Sequence, residues 1–111
     1  MAYDEKLAAR IRELVAGEQG VAEKKMFGGL AFLIGGHMAV AASGRGGMMV
    51  RVDPAESDTL VAKTNARVVE MRGRQMPGWL RLDIDDVKTK RQLETWVRRG
   101  VGYARSLPAK G

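Results

Sequence analysis

Cysteine is missing from this chain, and its absence removes disulfides, thiolate metal sites and cysteine nucleophiles together. Histidine is nearly missing: His37 stands alone, too little for a multi-histidine metal site, and reads as a polar strand residue beside a glycine turn. Serine occurs only at 43, 57 and 106, and none sits in a Gly-x-Ser-x-Gly elbow. No apolar run approaches the roughly 18 residues of a membrane span. The opening Met-Ala-Tyr-Asp-Glu-Lys carries acids where a signal peptide needs a basic start and an apolar stretch. These absences point to a cytoplasmic, non-enzymatic protein with no cofactor, no required metal and no membrane contact.

Acid is scarce in one place. The formal charge is +6, yet residues 1–87 hold equal numbers of basic and acidic side chains. The excess lies in residues 88–111, where Lys88, Lys90, Arg91, Arg98, Arg99, Arg105 and Lys110 face Glu94 alone. Such a tail favours anionic partners but says nothing of fold.

With 111 residues and 45% hydrophobic content, the chain suits one domain with a packed core. Leu7, Ile11, Leu14 and Val15 form one apolar stripe, predicting a helix over 4–16, with Asp4 and Glu5 at the positive end of its dipole. Residues 21–52 change period. Short apolar runs are punctuated by Gly28-Gly29, Gly35-Gly36 and Gly44-Arg45-Gly46-Gly47, which predicts an antiparallel meander of three or four strands. Asp53-Pro54 opens a short middle helix ending near Asn65. Val68–Met71 reads as a strand and Arg72–Gly78 as a loop, with a type II turn at Pro77-Gly78. Trp79–Asp83 alternates as a half-buried strand. Thr89-Lys90-Arg91-Gln92 is a capping box for a final helix, with Leu93, Trp96, Val97, Gly100, Val101 and Ala104 turned to the core. Arg91, Arg98 and Arg105 recur every seven residues on roughly the opposite side. The expected fold is α+β in two layers. An antiparallel sheet of about five strands packs against an N-terminal, a short middle and a C-terminal helix, all in one domain over 1–111.

The remaining polar clusters carry little chemistry. Asp83, Asp85 and Asp86 lack the fifth ligand and sixth-position glycine of a calcium loop, so they read as a solvated connector. Ser43–Gly47 lacks the Gly-Lys-Ser/Thr ending of a phosphate loop and reads as a hairpin turn, although Arg45 and nearby backbone N–H groups can hold an anion. The six internal methionines read as core filler, with an adaptable binding surface as the alternative. Arg72 and Arg74 beside Trp79 form a pattern able to hold single-stranded nucleic acid, set against a solvated loop with Trp79 packed inward.

An ordered set of segments then carries a resemblance. Lys25-Met26-Phe27-Gly28-Gly29-Leu30-Ala31-Phe32, Met48-Met49-Val50-Arg51, Met76-Pro77-Gly78-Trp79, and Leu93-x-x-Trp96 with Tyr103-Ala104 together resemble the N-terminal domain of the TfoX/Sxy competence regulators. The likeness runs over about residues 4–110. It implies a bacterial source, helices against an antiparallel sheet, and a link to control of DNA-uptake genes in partnership with the cyclic-AMP receptor protein. Members with that role carry a further C-terminal helical domain; here the resemblance is to the N-terminal domain standing alone. It transfers no catalytic residues.

Three functions follow as expectations. The first is a regulatory or adaptor module acting by protein–protein contact, as a homodimer. The alternative is weak, sequence-tolerant nucleic-acid binding through the basic last helix. Arg45, Arg72, Arg74, Arg91, Arg98 and Arg105 are its candidate contacts. The third is an enzyme using Arg45 and backbone donors on an anionic substrate.

Overall fold

A computed structural model describes residues 3–26 and 28–108. Phe27 of the Met-Phe-Gly-Gly segment and Lys110 of the basic tail therefore lie outside the described residues.

The chain begins with helix α1 (Glu5–Val15), capped by Asp4, whose carboxylate accepts from the Lys6 and Leu7 N–H groups. Four strands follow as a meander: β1 (Val21–Met26), β2 (Gly29–Ile34), β3 (His37–Ala42) and β4 (Met48–Arg51). Gly35 and Gly36 both take positive φ, so the tight β2–β3 hairpin is the one the Gly-Gly pair predicts. A 3-10 turn (Pro54–Glu56) leads into α2 (Ser57–Lys63), then β5 (Arg67–Met71) and β6 (Arg74–Leu82). A second 3-10 turn (Ile84–Val87) precedes α3 (Lys90–Ser106), whose Thr89–Gln92 capping box forms in full.

The strands make one antiparallel sheet of six, in the order β1-β2-β3-β4-β6-β5. The α+β class stands, and the strand number rises from about five to six. The meander has all four of its expected three or four strands, which makes six with β5 and β6, and the segment 72–78, expected as a loop, mostly lengthens β6. Only Arg72 and Gly73 turn; Arg74–Met76 pair with Val69–Met71 as strand.

Pro77, Gly78 and Trp79 lie between two successive β5 pairs, Val69↔Met76 and Val68↔Leu80. They form a wide bulge where proline's missing N–H costs no ladder bond. Gly78 there has φ +87°, its N–H donates to the buried Ser57 Oγ at 2.6 Å, and its carbonyl accepts from Val52 N at 2.7 Å. The left-handed backbone foreseen for a type II turn is thus present, but inside a strand.

Side-chain alternation splits the sheet into two apolar faces. Leu30, Phe32, Val40, Val50, Leu80 and Leu82 join the stripe of α1 (Leu7, Ile11, Val15) and that of α3 (Leu93, Trp96, Val97, Val101) in the main core. Gly100 brings α3 against β3 so closely that a Cβ there would run into the Ala39 carbonyl oxygen and the Val40 side chain. The other face carries its own cluster of Ala31, Met38, Ala41, Met49 and Val69, all at most 8% exposed, with Met26, Leu33, Met76 and Trp79 packed around them. Every described member of that second cluster comes from a strand. Bulges in the β2–β3 pairing at Phe32/Leu33 and in β6 add twist, curling the sheet so that strand side chains shelter one another. No helix among the described residues is long and apolar enough to cross a membrane.

Candidate functional site

The methionines show where the second face leads. Met48 belongs to the main core. Met38 and Met49 are buried in the strand-only cluster, with Met26 and Met76 half-buried beside them. Met38, Met48 and Met49 thus fill core, as the filler reading expects, and they do so on both faces of the sheet.

Part of the strand-only cluster floors a cleft of about 740 Å³ between the β3–β4 turn and the outer half of the β5–β6 hairpin. Met49, Val69 and Met76 make the floor, and Ser43, Arg45, Glu70, Arg72, Arg74 and Arg81 complete the lining. Each basic group has a clear structural origin. Arg45 sits in the β3–β4 turn, where its N–H donates to Ser43 Oγ at 3.1 Å. Arg72 and Gly73 are the two turn residues of the β5–β6 hairpin, with φ +53° and +76°. Arg74 opens β6, and Arg81 stands opposite Met49 of β4 in the sheet register. Arg45, Arg72 and Arg74 are exposed. Among the described residues, none of the four guanidinium groups meets a carboxylate at salt-bridge distance. Arg81 instead points Nη2 at the Gly46 carbonyl, 3.4 Å away. Four arginines against Glu70 leave this cleft net positive.

The arginines of α3 are differently placed. Arg91, Arg98 and Arg105 are exposed, as the seven-residue spacing foresees. Arg98 pairs with Glu94 at 3.4 Å, and Arg105 holds Glu18 through Nε and Nη2 at 2.9 and 2.5 Å. Both line the groove between α1 and α3, so the acid that offsets Arg105 comes from 87 residues away in sequence. The structure thus brings together Arg45, Arg72 and Arg74 and keeps Arg91, Arg98 and Arg105 apart from them. Arg81 and Glu70 are the lining residues that sequence reasoning missed. A signal existed: the alternation that sent Leu80 and Leu82 inward put Arg81 on the face of Trp79.

Trp79 is half-buried against the strand-only cluster. The Arg51 guanidinium lies 5.2 Å from its ring centroid and 5.5 Å from that of Tyr103, cation–π contacts that occupy part of the indole. Elsewhere the polar clusters serve structure. Asp83 accepts from Arg67 at 2.8 Å, Asp86 accepts from Asn65 at 2.9 Å, and Asp85 faces Lys88. His37 places Nε2 2.6 Å from the Pro108 carbonyl. On the helix side, Arg12 reaches Glu23 of β1 with two hydrogen bonds at 2.6 and 2.8 Å. That contact holds the Glu23 carboxyl below its ordinary range and raises Arg12.

Residues 13–104 match the family model of the TfoX N-terminal domain. The chain belongs to that family. The match runs from the last turn of α1 into α3, so it takes in all six strands and the arginine cleft. Among curated proteins there is no match. Membership in the TfoX N-terminal domain family is consistent with a regulatory module.

Proposed function

We propose that this TfoX N-terminal domain is a non-enzymatic regulatory adaptor of the cytoplasm, working by protein–protein contact through the strand-only face of its sheet. One observation carries the reading. A second apolar cluster, rich in methionine, forms on a sheet face to which no described helix contributes. Methionine side chains repack around different partners at low cost, and the half-buried Met26, Leu33, Met76 and Trp79 around the cluster are the part of it that a partner can reach. Family membership supports a role in regulation, with control of DNA-uptake genes as its setting.

Nucleic-acid binding through α3 is the weaker reading, because Arg98 and Arg105 are already engaged by Glu94 and Glu18. A photo-crosslinking residue in place of Leu33, on the strand-only face, tests the proposal in cells. The same residue in place of Arg91, on α3, is the control. Adducts to one recurring protein from position 33 alone support the adaptor. Adducts at twice the 12.1 kDa chain mass would make the partner a second copy, the homodimer that the sequence suggests. Nucleic-acid adducts from position 91 would replace the proposal with its alternative.

A further inference from the structure

The turn at Arg72-Gly73 is made with the wrong first residue. A two-residue hairpin turn with positive φ at both positions suits Asn-Gly, Asp-Gly or Gly-Gly, and the β2–β3 hairpin of this same sheet uses Gly35-Gly36. Arginine at φ +53° brings Cβ close to the backbone and gains nothing locally. Among the described residues it is the one non-glycine with positive φ. Its side chain is exposed and lines the cleft with Arg45, Arg74 and Arg81. Strain kept at one turn, beside three more guanidinium groups that meet no carboxylate among the described residues, points to a ligand for the cleft.

The lining then selects among anions. The floor of Met49, Val69 and Met76 is aliphatic and thioether, and among the described residues no aromatic ring joins the lining. Single-stranded nucleic acid needs rings on which bases stack, and Trp79, the aromatic of the described strand-only cluster, is half-buried and partly occupied by Arg51. Glu70 in the rim repels any anion, most of all a polyphosphate backbone charged at every residue and less a peptide whose acids are spaced by neutral residues, and it accepts from peptide N–H groups. Carboxylates suit the planar, two-pronged guanidinium. β5 is an edge strand, and among the described residues no strand but β6 pairs with it, so its outer edge beside Val69 and Glu70 suits the addition of an extended chain.

Building on the adaptor reading, we propose that the cleft receives an extended acidic segment of a partner protein. Its carboxylates meet Arg45, Arg72, Arg74 and Arg81, and an apolar side chain between them rests on Met49, Val69 and Met76.

Selection of random displayed peptides on the immobilised domain tests this. Enriched sequences carry aspartate or glutamate on either side of an apolar residue. Arg72→Ala with Arg74→Ala weakens the best peptide by about tenfold or more, the scale of losing two charge-assisted contacts, while Lys90→Ala leaves it unchanged. Arg72→Asn separates function from folding, because it raises the melting temperature and still weakens the peptide. Enrichment of uncharged or basic peptides, or of none, overturns the proposal. So does tighter binding of oligo(dT) that disappears with the same arginines, which would assign the cleft to nucleic acid. If position-33 protein adducts persist while no acidic peptide is enriched, the adaptor reading survives and this inference alone fails.

Discussion

The two faces of this sheet are built from the same strands and do different things. Leu30, Phe32, Val50 and Leu80 point to the side closed by α1 and α3, while Ala31, Met49 and Val69 point to the side held by strands alone. On the closed side branched and aromatic side chains lock into one packing, and glycine at 100 lets a helix backbone touch the sheet. On the open side small and flexible side chains predominate, and unmatched arginines gather at the rim. A strand alternates its side chains, so each residue step moves from the helix-covered core to the strand-only cluster.

The largest test of that division is truncation on each side. Phe32→Ala, fully buried on the closed face, should cost about 3–5 kcal/mol, whereas Met49→Ala should fall near the lower end of the ~2–5 kcal/mol range because its flexible, half-buried neighbours Met26 and Met76 can close over the gap. Urea denaturation of both variants checks the order, and equal losses would erase the contrast. Gly100→Ala comes next. It forces α3 away from Ala39 and should cost about 1–3 kcal/mol as overpacking, with acidic-peptide affinity unchanged in a titration. Arg72→Asn works in the other direction and should stabilise by about 0.5–1 kcal/mol by relieving the left-handed turn, read as a rise in melting temperature.

The smallest effect sharpens the picture on the helix side. Arg12 lowers the Glu23 pKa through its hydrogen bonds, so the contribution is present above the ordinary carboxylate pKa and fades as pH falls through the depressed one. Glu23→Gln should therefore be slightly less stable than the parent at neutral pH and equal to it in strong acid. The difference should also shrink with added salt, as for other exposed pairs. Melting curves across that range check both.

Much of this fold is legible in the residues. The stripe of Leu7, Ile11 and Val15, the Gly35-Gly36 turn and the Thr89–Gln92 box each encode their own geometry within a few positions. The β5–β6 hairpin is harder, because arginine is a poor advertisement for a positive-φ turn, and Pro77-Gly78 announces a turn where the chain makes a bulge. The open face is hardest to read. Strands β2 and β3 are apolar on both sides, so their sequence does not say which side a helix covers. Arginine positions could be counted from the sequence, but not their neutralisation: Glu18 meets Arg105 only after α1 and α3 pack together.

The bulge at Pro77–Trp79 has a consequence in time as well as in shape. It interrupts the β5–β6 ladder partway along, so the outer half of the hairpin is tied to the inner half by fewer continuous backbone bonds. Segments divided in this way open as separate cooperative units. Amide protons of Val69, Glu70 and Gln75 should exchange with deuterium well before those of Val50 and Leu80, which lie in the closed core. The arginine turn would then open and close on its own clock, set apart from the slower opening of the helix-covered core.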